Sequence, residues 1–206
     1  MIEQIHWLGY GGFRIEGPPL IYINPWRVVR VAFHADVILV SHHHFEHCSL
    51  ADIGKLRGPD TKVIGNERVA QEIAGTTVLR PWQFMSIDRA GIKAIPAYSP
   101  DEQEHPKADG GLGFIISLNY HDIYYAGDSR AIPEMQSIRP DIAILPIDGN
   151  GTMDVNEAAE LVKQMRPRWT IPCNLNPDST TQIEAKRFES LANKYTQVVM
   201  PNTNKK

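Results

Sequence analysis

Cysteine is scarce in this 206-residue chain, which carries only Cys48 and Cys173. Two thiols cannot staple a small secreted scaffold, so a disulfide framework is excluded and both are expected to be free. The opening residues Met1-Ile2-Glu3-Gln4 lack the basic-then-apolar pattern of a secretory leader. Together these absences make the cytoplasm the expected compartment. No apolar run approaches the roughly 20 residues that a membrane-spanning helix needs, so no membrane partner is expected. Nor does charge of one sign dominate: 21 basic residues face 24 acidic ones, for a net charge of −3. A nucleic-acid partner would need a clustered basic surface, and none is visible.

What is present suits a buried core. Hydrophobic residues make up 42% of the chain and charged residues 22%, in the range of globular proteins. One domain spanning 1–206 is the simplest expectation for this length. Short runs rich in β-branched and aromatic residues predict strands at Ile2–Trp7, Phe13–Ile15, Leu20–Ile23, Asp36–Val40, Lys62–Ile64, Thr77–Leu79, Gln83–Ile87 and Gly91–Ile95. A second set follows at Leu112–Leu118, Asp122–Tyr125, Ile142–Leu145, Thr170–Ile171 and Gln197–Val199. Helices are expected at Ser49–Leu56, Glu67–Ala74, Ala131–Gln136, Val155–Met165 and Thr180–Lys194. In the last of these, Ile183, Phe188, Leu191 and Ala192 form the expected apolar face. Two groups of strands, each followed by helices, suggest two sheets packed face to face with helices outside.

The chemistry concentrates in Ser41-His42-His43-His44-Phe45-Glu46-His47-Cys48, directly after an apolar strand. Imidazole and carboxylate are ligands for zinc, iron or manganese. Alternation in an extended segment places His42, His44 and Glu46 on one side. His47 joins them if the chain turns before a helix capped by Ser49. Cys48 reads as a small buried residue at the helix start, and Cys173 as a thiol near the same region. The polar stretch Ser99–Gly111 is long for a plain connection and is expected to border a pocket. Lys107 and Arg130 are its candidate contacts to an anionic substrate. The Pro25-Trp26 and Pro81-Trp82 pairs are expected to stiffen turns and pack the core.

These residues resemble the metallo-β-lactamase-fold hydrolases, in particular their small lactonase-like branch. That family's loop reads His-x-His-x-Asp-His, matched here by His42 to His47 with Glu46 in place of Asp. His6-Trp7-Leu8-Gly9, Asn24-Pro25-Trp26, Pro96-Ala97-Tyr98, Ala126-Gly127-Asp128-Ser129 and Thr152-Met153-Asp154 are similar to further segments of the branch in the same order. The resemblance implies an α/β fold, a four-layered αββα sandwich with metals at one edge of the sheets. It implies that His42, His44 and His105 hold one metal, and that Glu46, His47 and Asp128 contribute to a second. Ser99 stands where related families place a histidine, so the third ligand of the first metal lies in either the Ser99 or the His105 region. Glu46 and Asp128 are the candidate catalytic carboxylates, acting on water whose pKa a metal lowers from about 16 to about 7.

The sequence also departs from the family. Glu46 extends the usual carboxylate by roughly one bond, about 1.5 Å. Asn24 replaces an Asp, and Asn174 replaces the last metal-binding histidine. Tyr10 and Tyr125 stand where histidine is common, and Asp148 where glycine is common. The preferred expectation is a hydrolase of a small ester, lactone or phosphoester, with one Zn2+ held firmly and a second weak or absent. Mn2+ or Fe are the other candidate ions. Two alternatives remain: a member of the fold that binds a ligand or partner without catalysis, and iron-dependent oxidation. Members of the branch often associate, so a homo-oligomer is among the implications.

Overall fold

A computed structural model describes residues 1–29, 31–100, 103–175 and 179–201, with backbone alone at 179–181. Residues 101–102 of the expected pocket-bordering stretch lie outside the described residues.

Six strands form the first sheet in sequential order: β1 (Ile5–Gly9), β2 (Gly12–Ile15), β3 (Ile21–Ile23), β4 (Ala35–Leu39), β5 (Arg57–Gly65) and β6 (Thr77–Val78). Helices α1 (Leu50–Leu56) and α2 (Glu67–Glu72) fall between its later strands. Seven strands form the second: β7 (Phe84–Ile87), β8 (Ala90–Pro96), β9 (Leu112–Leu118), β10 (His121–Tyr125), β11 (Ile142–Pro146), β12 (Trp169–Cys173) and β13 (Gln197–Val198), lying side by side in the order β13-β12-β11-β10-β9-β8-β7. Helix α3 (Val155–Met165) precedes β12 and α4 (Ser179–Ala192) follows it. Strands β3 to β6 run parallel, as do β10 to β13.

Strand periodicity explains the layering. Ile21, Ile23, Val37 and Leu39 point to one side and meet Ile123, Tyr125, Ile142 and Ile144 of the other sheet in a shared core. Their chain neighbours Tyr22, Ile38 and Val40 point the other way, against Ile53 and Leu56 of α1 and Val69 of α2. In the second sheet Tyr124, Ala143 and Leu145 pack against Ala158, Leu161 and Val162 of α3 and Phe188 of α4. Strands covered on both faces read as continuous apolar runs, as β11 does. The result is the expected αββα sandwich. Among the described residues no helix is long and apolar enough to cross a membrane.

The expected elements hold with three adjustments to their kind or bounds. Ile2–Gln4 is a 3-10 turn ahead of β1. β5 begins at Arg57, immediately after α1, well before the expected Lys62. Residues expected to be helical at Ala131–Gln136 form a 3-10 turn, Pro133–Ser137, too short between Pro133 and Pro140 for an α-helix. The α4 face also needs correction. Ile183 is 64% exposed, while Ala185, Phe188 and Ala192, spaced by three and four residues, are buried. Trp82 is 48% exposed and does not pack the core.

Truncating Phe188 to Ala removes a fully buried ring and should cost about 3–5 kcal/mol in urea unfolding. Ile183→Ala should stay within about 0.5 kcal/mol. Comparable losses for both would mean that the buried face of α4 is wrongly assigned.

Candidate metal site

The parallel strands deliver their C-terminal ends to one edge, and the site is built from the turns that follow them. After β4, Val40 donates its N–H to Ile64 O, and the carbonyl of Ser41 accepts from Leu112 N of the second sheet at 2.9 Å. The chain then turns tightly, with the N–H groups of His47 and Cys48 both donating to His44 O at 2.9 and 2.8 Å. Ser49 ends the turn by capping α1, its hydroxyl accepting from Asp52 N. This turn overrides the extended alternation expected for the segment. It gathers His42, His44 and His47, with ring centroids 4.5 to 4.6 Å from His42. It leaves the carboxylate of Glu46 outside both groups of mutually close ligand atoms.

Left-handed backbone recurs at the edge. Tyr10, Asn24, His105 and Asn174 have φ of 50°, 42°, 59° and 59°. For residues other than glycine such angles carry a cost that packing must hold in place, and they cluster at functional sites. Gly127, at φ 69°, precedes Asp128, and a Cβ there would lie 2.5 Å from Leu112 O. Only glycine permits that close approach, which swings the Asp128 carboxylate into the site.

Two overlapping sets of side chains could hold a metal: His42, His44 and His105, and His42, His47 and Asp128, each with ligand atoms within 4.8 Å of one another. His44 Nδ1 lies 3.2 Å from His105 Nε2. Asp128 Oδ2 lies 3.1 Å from His47 Nε2, 3.5 Å from His105 Nε2 and 3.8 Å from His42 Nε2. Two nitrogens bound tetrahedrally to one zinc at about 2.0–2.1 Å stand about 3.3 Å apart. The His44–His105 separation fits that edge. Buried His42 Nε2, His47 Nε2 and Asn174 Oδ1 make no well-formed hydrogen bond.

Hydrogen bonds to the far ring nitrogens decide which lone pairs are free. His105 Nδ1 is 3.1 Å from Gly151 O. A carbonyl only accepts, so Nδ1 carries the proton and Nε2 presents its lone pair to His44 and Asp128. His42 Nδ1 is 2.9 Å from Ser41 Oγ, a hydroxyl that can serve either tautomer. Burial, with smaller contributions from neighbouring histidines, lowers the pKa of His42 and of His44, and so keeps these imidazoles neutral. Burial alone would raise the pKa of Asp128. The proximity of His47, a hydrogen bond with it, His42 and the amide of Asn174 together hold this carboxyl far below the usual range.

The other expected site residues divide. Asn174 is at the edge, donating Nδ2 to Asp128 Oδ1 at 3.0 Å. Ser99 is buried beside the site, but its hydroxyl donates to Gly151 O and its N–H to His105 O. It positions the His105 loop instead of facing the imidazoles. Lys107 pairs with Glu134 at 3.2 Å and Arg130 with Glu157 at 2.7 Å, so neither is a free anchor for an anion. Cys48 packs in the helix-side core of the first sheet and Cys173 between the sheets. Two residues noted in the sequence only as departures form a pair here: Tyr10 Oη donates to Asp148 Oδ2 at 3.4 Å, while Thr152 Oγ1 donates to Asp148 Oδ1 at 2.6 Å. Their joint departure from the family pattern was the signal that could have linked them.

A profile of the Beta-lactamase superfamily domain matches residues 4–174. The chain belongs to that superfamily. A relative in Thermoplasma acidophilum, described as a UPF0173 metal-dependent hydrolase, is 30% identical over 98% of this chain and 96% of its own. Among solved structures, a protein from Parabacteroides distasonis named for metal-dependent hydrolysis shares the fold with a TM-score of 0.86 at 24% identity, covering 96% of this chain and 91% of that one. The metallo-beta-lactamase fold protein YhfI of Bacillus subtilis aligns with a TM-score of 0.74 at 14% identity, over 94% of this chain and 90% of its own. Membership of the superfamily explains why ligand-type residues cluster at this edge. The details that separate this chain from a generic member are its own.

One of those details has a pH signature. Burial raises the pKa of Asp148, and Asp128 adds to the rise against the hydrogen bond from Thr152. The folded state therefore holds the Asp148 proton more tightly than the unfolded state does. Stability from this group is complete below the unfolded carboxylate value of about 3.9 and is lost as pH rises through the folded value. Asp148→Asn should thus stabilise the metal-free protein at pH 7 and lose that advantage near pH 3.5, measured by urea unfolding at both. An equal effect at the two pH values would contradict the assignment.

Proposed function

We propose that this chain is a metal-dependent hydrolase working with a single metal, held by His42, His44 and His105, on the carbonyl of a small uncharged ester or lactone. The observation that carries this reading is the convergence of three imidazoles, one already fixed with its lone pair inward by Gly151 O. Three protein ligands with a position left open is the pattern of catalytic zinc, and neutral nitrogens suit zinc better than manganese. The end-to-end similarity to a relative described as a metal-dependent hydrolase supports the same reaction class. When bound, a divalent metal supplies Lewis-acid chemistry, polarising the substrate oxygen and making water nucleophilic near neutral pH.

The protein's own groups do the rest. Asp128 stays ionised, faces His42 and His105, and is oriented by the Asn174 amide. It is placed to accept a hydrogen bond from an attacking water and orient it. The surrounding charge selects against a phosphoester. Asp128 is anionic, and Lys107 and Arg130 are engaged by Glu134 and Glu157. A negatively charged substrate would meet repulsion where a neutral carbonyl would not. The pocket at the histidines is lined also by Ala97, Pro106 and Leu112, which offer it some apolar surface.

Metal analysis and an ester and lactone panel test the proposal together. Protein given zinc and then desalted should retain about one equivalent per chain. His44→Ala should lose both the metal and hydrolysis. Asp128→Asn should keep the metal but lower kcat/KM by about 10²–10⁴-fold. Glu46→Gln should change kcat/KM by less than about threefold, because its carboxylate lies outside both ligand groups. Trace metal only, unchanged by added zinc or manganese, would overturn the proposal in favour of a binding role. Stoichiometric iron with a visible absorption band would favour oxidation.

A further inference from the structure

The Asn24 side chain is fully buried at the end of β3. Its Oδ1 accepts from the backbone N–H of Ser41 at 2.8 Å. That bond fixes which way round the amide lies, because the flipped amide would set NH2 against N–H. Its Nδ2 therefore faces three atoms: Ser41 Oγ at 2.8 Å, Tyr125 Oη at 2.9 Å and His47 Nδ1 at 2.8 Å. Tyr125 spends its own proton on Gly11 O at 3.0 Å, so its oxygen accepts. An amide nitrogen cannot accept a hydrogen bond. His47 Nδ1 must meet it with a lone pair, and in a neutral ring the proton then sits on Nε2.

Nε2 is the atom through which His47 would bind a second metal, and it faces Asp128 Oδ2 at 3.1 Å. The spacing of the second group suits an ion, but its proton inventory does not. A carboxylate at position 24 would accept from Nδ1 and leave Nε2 free, whereas this amide does the reverse. Asn174 adds to the mismatch. It spends Nδ2 on Asp128 Oδ1, and its remaining donor is an amide oxygen, a poor zinc ligand beside imidazole. We propose that the second metal position of this chain holds a proton instead of a metal, with Asn24 fixing His47 as an Nε2–H group that, with Asn174, positions Asp128 beside the single metal. His47 is then a positioning residue and not a ligand. The idea rests on the one-metal reading for its consequence but not for its test.

The test is nitrogen-15 NMR of the histidine rings, on full-length protein with and without zinc. His47 should be the Nε2–H tautomer in both states, while His42, His44 and His105 shift on adding zinc. A His47 ring protonated on Nδ1, or one whose Nε2 shifts on binding zinc, would overturn the proposal. Asn24→Asp is nearly isosteric and can still accept from Ser41 N–H, so it should move the His47 proton to Nδ1. An unchanged tautomer would overturn the assigned role of Asn24. Combining Asn24→Asp with Asn174→His should raise bound zinc from about one to about two equivalents per chain. Two equivalents in the unmodified protein would also overturn it. Failure of the unmodified protein to take up any zinc would defeat the hydrolase reading alone, since the tautomer of the metal-free protein still decides this one.

Discussion

The buried amide of Asn24 is the constraint on which the edge of this sandwich depends. It closes the end of β3 onto the turn after β4 through Ser41, and reaches across to the second sheet through Tyr125. Neither group would be satisfied elsewhere at that depth, and leaving a buried amide unpaired costs about 1–3 kcal/mol per lost partner. The same amide touches His47, so the fold's closure and the protonation of the site are one problem. A change at this position alters the joint between the sheets and the state of the ligand field together.

Charge is organised around that joint in a matching way. Asp128 is buried and anionic, and His47 at 3.1 Å, His42 at 3.8 Å and the Asn174 amide keep it so. Burying a lone carboxylate would otherwise be prohibitive. The Asn174 amide bonds Asp128 Oδ1, while Oδ2 faces His47, His105 and His42. Asp148 and Tyr10 lie on the opposite flank, where burial disfavours the anion of each. The site thus holds one strongly retained negative charge, which is the complement of one metal and not of two.

Much of this could be read in advance, and the limits have physical causes. Strand positions were legible because both faces of β4, β10 and β11 are buried, which writes continuous apolar runs into the chain. The histidine segment was legible as a metal loop because of its density of donors. Its geometry was not, since two hydrogen bonds to His44 O replace extended alternation with a turn that leaves Glu46 outside both groups of ligand atoms. The α4 face misled because it joins residues of helical spacing without knowing which side the sheet lies on. Lys107 and Arg130 looked available because their partners, Glu134 and Glu157, are distant in sequence. Pairing of that kind leaves no local mark.

The departures from the family pattern gain meaning only when taken together. Separately, an Asp-to-Asn change at 24 and a His-to-Asn change at 174 each read as erosion of a two-metal site. In the folded chain both amides make buried contacts: Asn24 accepts from Ser41 N and turns its two N–H hydrogens toward Ser41, Tyr125 and His47, and Asn174 donates to Asp128. A decaying site would be expected to leave buried polar groups without partners, because nothing would select replacements that satisfy them. Three buried atoms of the site, His42 Nε2, His47 Nε2 and Asn174 Oδ1, lack a well-formed partner, against the several contacts the two amides do make. Consistency of this order across residues from β3, β4, β10 and β12 argues for a site rebuilt around one metal and a hydrogen-bonded carboxylate. It is the same economy of donors that lets an amide stand where a carboxylate would, provided the imidazole beside it gives up its role as a ligand.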